Sequence, residues 1–151
     1  MSLLNYTTTI DAARTVSEIQ NILVKHGARQ MLVNYSQSGE VEALSFIVLT
    51  PQGNVAIRLP VDPNAVLRVL QKQHARGYFD RQRAVKIAWR IVKDWVEAQM
   101  ALLETEMVKL EQVFLPYVMV NDKQTMFQAF TEGKLLPKGE VQDGEFKEIT
   151  K

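Results

Sequence analysis

The chain has 151 residues, 46% of them hydrophobic and 23% charged, with 18 Lys and Arg against 17 Asp and Glu. The formal net charge is therefore only +1, which fits a globular domain with a core and leaves electrostatic attraction to local clusters. Cysteine is absent, so disulfides, thiolate nucleophiles and sulfur-ligated zinc are excluded.

The N-terminal stretch MSLLNYTTTIDAARTVSEI has neither the basic start nor the apolar run of a secretory signal. No segment reaches the roughly 18–20 apolar residues of a bilayer span. A cytoplasmic location and no membrane partner are the expectation. Leu4 to Ile10, rich in threonine, predicts an edge strand. Thr15-Val-Ser-Glu18 has the form of a capping box, and Val16, Ile19, Ile22 and Leu23 recur at helical spacing up to Gly27, which predicts a helix from Val16 to His26.

Three runs of strand character follow: Arg29–Tyr35, Val41–Thr50 and Val55–Leu59, joined by the turns SQSGE and PQGN. Short glycine-containing connections make an antiparallel meander the simplest topology. Asp62 before Pro63 marks the start of a second helix, whose stripe is Ala65, Val66, Val69 and Leu70 and whose stop is Gly77. Asp80 caps a long third helix to about Glu104, and Met107–Phe114 continues it after a bend, up to Pro116. Asp122–Phe130 predicts a last short helix. The polar end GEVQDGEFKEITK is either disordered or a weak hairpin on Asp143-Gly144. The expected fold is α+β: a small antiparallel meander of three to four strands packed against helices, with a long apolar helix and a helical C-terminal part. It forms a single domain over residues 1–136, followed by a polar, flexible tail over 137–151.

Basic residues concentrate between positions 68 and 93: Arg68, Lys72, Arg76, Arg81, Arg83, Lys86, Arg90 and Lys93, with Asp80 as the one acid. At roughly 100° per residue, Arg83, Lys86, Arg90, Lys93, Asp94 and Glu97 fall on one arc of about 100°. The rest of that helix is largely apolar, so it is expected to be enclosed by the sheet, by neighbouring helices or by a second copy. Trp89 and Trp95 lie on the apolar side, where they serve a core or interface and do not stack on bases. Tyr78 and Phe79 sit in the preceding loop, where a hydrophobic staple is the expected role and base stacking the alternative. Arg76, Arg81, Arg83, Lys86, Arg90 and Lys93 are the candidate nucleic-acid contacts. The alternative is a solvated edge partly neutralised on the helix, as Lys93 and Glu97 are four residues apart.

The C-terminal run VFLPYVMVNDKQTMFQAF is dense in large apolar side chains. Tyr117, Met119, Phe127 and Phe130 are the candidate protein-binding residues, and a homo-oligomer is expected unless they fold back to complete a monomer core. Catalytic machinery is not visible. His26 and His74 each precede a glycine near a helix end, where the helix dipole favours a cation, and no metal-ligand spacing accompanies them. There is no phosphate-cradling glycine loop, no nucleophile elbow and no cofactor motif. Glu104 and Glu111, with Glu106 nearby, lie seven apart and would share a face if one helix held both.

The combination of a capped helix and meander with AWRIVKDWVEAQMALLE and VFLPY resembles uncharacterised small proteins of bacterial and prophage genomes. The resemblance spans most of the chain and implies a mobile-element accessory role, binding nucleic acid or blocking a host or phage factor. No activity, cofactor or site residue comes with it. The expected function is thus a non-enzymatic binding protein contacting nucleic acid through the basic edge. One alternative is an oligomeric protein-binding or inhibitor module using the C-terminal aromatics, and another is an enzyme whose site is assembled from distant residues.

Overall fold

The structure, a computed structural model, describes residues 2–77, 79–133, 139–142 and 144–148. The fold is α+β. Strands β1 (Gln30–Tyr35), β2 (Val41–Thr50) and β3 (Gly53–Arg58) form one antiparallel sheet in the order β1-β2-β3. The meander and its boundaries follow the sequence expectation closely, because period-two patterning and glycine turns are local signals.

Helix α1 spans Ala12–Lys25 and starts one turn earlier than Thr15 would suggest. Asp11 occupies the N-cap without a side-chain cap bond, and Thr15 lies buried inside the helix. The capping box does not form. Glu18 does not reach back but turns toward α3 (Arg81–Glu104), where it meets Arg90. Tertiary pairing here overrides a local capping motif.

The predicted strand over Leu4–Ile10 is also absent. Asn5 takes a left-handed φ of 64°, and the segment forms turns closed by Tyr6 N–H to Leu3 O at 3.1 Å and Thr8 N–H to Asn5 O at 3.0 Å. It is strapped across the helices through Asn5 Nδ2 to Asp94 Oδ2 at 2.8 Å. Its threonines belong to an irregular strap and not to a ladder.

Helix α2 (Pro63–Gln73) begins as expected: Asp62 Oδ1 accepts from the N–H groups of Asn64 and Ala65 at 3.1 and 3.2 Å. Of its predicted stripe only Leu70 is fully buried. It ends at His74, before Gly77. Gly77 serves close approach, since a Cβ there would lie 3.0 Å from the Phe79 ring. Asp80 caps α3 through Arg83 N–H at 2.8 Å. Phe79 packs with Ala84 and Ile87 in the manner of a hydrophobic staple; Tyr78 lies outside the described residues.

Helix α3 is 24 residues long, but only its middle is enclosed: no position from Ala84 to Val96 is exposed, whereas Glu97, Ala98, Ala101 and Glu104 are. The enclosure comes from the chain itself. Val85, Trp89, Val92, Val96 and Met100 pack with Val16, Ile19 and Leu23 of α1 and with Leu44, Phe46, Val48 and Ile57 of the sheet. On its other side Ala84 and Ile87 meet Leu70 of α2. After a turn with Glu106 at φ 61° come the short helix α4 (Leu110–Phe114), a 3-10 turn (Leu115–Tyr117) and α5 (Met126–Thr131), capped by a box of Thr125 and Gln128. Beyond it, β4 (Gly139–Gln142) and β5 (Glu145–Glu148) pair as a separate hairpin, the structured alternative for the polar end.

Helices cover one face of the sheet. Met31, Val33, Leu44, Phe46, Val48, Val55 and Ile57 point into the core, while Leu32 and Leu49 lie on the opposite face, exposed. Phe46→Ala is accordingly expected to cost about 3–5 kcal/mol. Leu49→Ala on the opposite face should change stability by no more than about 0.5 kcal/mol. Urea unfolding followed by circular dichroism measures both, and equal costs would overturn this face assignment.

Candidate nucleic-acid interface

The candidate basic residues divide into two groups. Lys86 Nζ lies 3.4 Å from Asp11 Oδ1 at the start of α1. Arg90 donates through Nη1 to Glu18 Oε2 and, at 3.4 Å, to buried Thr15 Oγ1. Lys93 Nζ sits 2.7 Å from Glu97 Oε2 and 3.9 Å from Asp94 Oδ1. Lys86 and Arg90 thus tie α1 to α3 along their seam, while Lys93 is neutralised within α3 itself. Stripping Arg90 from Glu18 to meet a phosphate would leave a carboxylate in a partly desolvated site, so this part of the stripe is structural.

The other group sits at the corner between α2 and α3. Arg68, Lys72 and Arg76 are all exposed, and none makes an ion pair among the described residues. Arg68 and Lys72 are four residues apart on α2, about 6 Å along its axis. Arg81 and Arg83, also exposed, border the same corner with neutral partners. Arg81 Nη1 donates to Asn64 Oδ1 at 2.7 Å. The Arg83 guanidinium lies 4.8 Å from the Phe79 ring centroid and donates to Tyr6 O at 3.4 Å. Beneath this corner Tyr6 stacks on His74 at 5.2 Å, and His74 leans on Phe79 at 5.3 Å. Arg68 and Lys72 were absent from the residues singled out by helical phase on α3. The signal that finds them is the run from Pro63 to Phe79, which contains no acid.

The C-terminal candidates divide as well. Tyr117 is half-buried and meets Trp95 edge-to-face at 5.4 Å, beside Phe114, which is fully buried. Met119 donates its N–H to Ala56 O at 2.8 Å and so closes the outer side of β3, next to an Ile57–Val118 bridge. Phe127 and Phe130 remain 55% and 43% exposed and stack at 6.4 Å. With Leu115, Pro116 and Met126 they line an apolar recess of about 270 Å³. Trp89 is fully buried in the core.

The residues that would support catalysis are dispersed. His26 lies at the end of α1 beside Glu104, and His74 precedes the start of α3, so the two histidines stand at opposite ends of that 24-residue helix. Glu104 ends α3 while Glu111 belongs to α4, so they do not share a helix. A cleft of about 440 Å³ between α1, the β1–β2 hairpin and α3 holds Asp11, Glu40 and Lys86, but neither histidine. Among the described residues no group of three or more His, Asp or Glu is placed to hold a metal, and no helix is long and apolar enough to cross a membrane. Compared with protein-family models, curated proteins and solved structures, the chain finds no match in any of the three.

His26 is held at both ring nitrogens by acceptors: Nδ1 by Ile22 O at 2.8 Å and Nε2 by Glu104 Oε1 at 2.7 Å. Its pKa is raised above 6.5, first by the Ile22 carbonyl and then by Glu104, against desolvation and the Lys25 charge. The doubly protonated ring donates to both. Its stabilisation is therefore complete below the ordinary value of 6.5 and is lost as the pH rises through the higher folded value. An NMR titration should give His26 a pKa above 6.5, returning toward it in Glu104→Gln, and the wild-type melting temperature should lose more than the variant's between pH 6 and 8.5. A pKa unmoved by Glu104→Gln would sink this assignment.

Proposed function

We propose that this protein is a non-enzymatic binding protein that contacts nucleic-acid phosphates through the corner between α2 and α3. One observation carries the reading: among the described residues Arg68, Lys72 and Arg76 stand exposed and without ion-pair partners, on a stretch free of acids from Pro63 to Phe79. Unpaired surface cations attract phosphate because contact releases condensed counterions, and no internal pair has to be broken first. Arg81 and Arg83 extend the same surface with donors whose present partners are neutral. Lys86, Arg90 and Lys93 leave the contact set, since each already has a carboxylate. The mobile-element accessory role implied by the sequence resemblance fits this reading.

The test is fluorescence anisotropy with labelled duplex and single-stranded oligonucleotides across about 50–300 mM salt. Replacing Arg68, Lys72 and Arg76 together by alanine should abolish most binding and flatten the slope of log K against log salt by roughly three phosphate contacts. Lys86→Ala and Lys93→Ala should leave affinity within about twofold. Undiminished binding by the triple variant overturns the proposal.

A second reading is favoured by the stacked, exposed Phe127 and Phe130 beside their uncharged recess. This surface suits a protein partner that inserts an apolar side chain. Association of that kind is insensitive to salt, and Phe127→Ala should weaken it at least tenfold in a titration against the isolated partner. Loss of binding in the triple basic variant, with Phe127→Ala neutral, would decide against it.

A further inference from the structure

The two edges of the sheet are treated differently. On β3 the outer side is closed by Met119 N–H to Ala56 O and by the Ile57–Val118 bridge. On β1, among the described residues, nothing pairs beyond β2. An open edge is a row of unpaired N–H and C=O groups, and protein sheets usually guard it with charge, proline or a covering segment. Gln30-Met-Leu-Val-Asn-Tyr35 contains no charge and no proline, and Leu32 is 59% exposed on the uncovered face. A bulge between Asn34 and Tyr35 limits regular pairing to Gln30–Asn34.

We propose that β1 is a homodimerisation edge, with a second copy of the chain pairing antiparallel to it about a two-fold axis at Leu32. A two-fold axis normal to the sheet keeps both helical layers on the same side, so each residue must oppose one of its own face. Centring on Leu32 satisfies this throughout. Leu32 meets the partner's Leu32 on the open face, Met31 meets the partner's Val33 on the core face, and Gln30 meets the partner's Asn34 on the open face. Apolar side chains face apolar ones, and amides face amides.

Charge selects the same occupant. Arg29 is exposed at one end of β1, while beyond the other end Glu40 closes the turn and Glu42 lies at the start of β2, both exposed; among the described residues none of the three makes an ion pair. Antiparallel pairing brings Arg29 of each copy toward the acidic end of the other's β1–β2 hairpin, so the strand ends attract and the uncharged middle carries no like-charge opposition.

Light-scattering mass on the full chain is expected to give a dimer that persists at high salt without nucleic acid. Leu32→Lys sets two like charges at the axis and should yield a monomer with an unchanged circular dichroism spectrum. Because the chain has no cysteine, Leu32→Cys gives a direct readout of register: mild oxidation should cross-link it to a dimer, while exposed Leu49→Cys on the central strand should not. Arg29→Glu should weaken the dimer at least tenfold, and adding Glu40→Lys with Glu42→Lys should restore it. A monomeric wild type at about 100 µM, or a dimer that survives Leu32→Lys, overturns the proposal.

Discussion

The fold depends on the burial of Trp89. A sheet of three strands offers too little surface to enclose a core by itself, and α3 supplies the missing volume by laying Val85, Trp89, Val92 and Val96 against Phe46, Leu44 and Ile57. α1 closes the layer through Val16, Ile19 and Leu23. The indole Nε1 finds no hydrogen-bond partner among the described residues, so the contribution of the ring is its bulk. Phe114 extends the packing from below, meeting Phe46 at 5.5 Å and Trp95 at 5.6 Å, and this ties the C-terminal third to the sheet.

Charge on the surface follows from that geometry. Enclosing the middle of α3 forces its basic residues to the boundary between helices, where carboxylates of α1 and of α3 itself wait for them. Lys86 and Arg90 fix how α1 lies on α3, and Lys93 is held within α3. α2 touches the rest of the molecule mainly through Leu70 and the half-buried residues beside it, so its outward cations are under no such obligation. A residue's sign on a helical wheel therefore says less about binding than whether the fold has already assigned it a partner.

The meander, the caps at Asp62 and Asp80 and the span of α3 were legible because each is set by a few adjacent residues. What misled was local grammar outvoted by distant contacts. Thr15 and Glu18 match a capping box but are claimed by Arg90, 75 and 72 positions away. The threonines before Ile10 suggested a strand, yet the segment is held by Asp94 and by Gln73, whose Oε1 accepts from Leu3 N–H at 2.9 Å. The basic stripe was visible as a pattern, but its neutralisation by Asp11 and Glu18 required knowing that α1 packs beside α3. The C-terminal aromatics were visible as a cluster. Only the fold shows that Phe114 and Tyr117 face inward while Phe127 and Phe130 do not.

The unequal edges of the sheet set a limit on growth. A sheet open at both ends can add strands from copy after copy, which is the route to fibres. Here the backbone of Val118 and Met119 already occupies the β3 side, and the segment carrying it is anchored in the core by Phe114. A strand joining at β1 would therefore find the far side of this sheet already obstructed at Ala56 and Ile57, which disfavours continued addition to the three-stranded sheet.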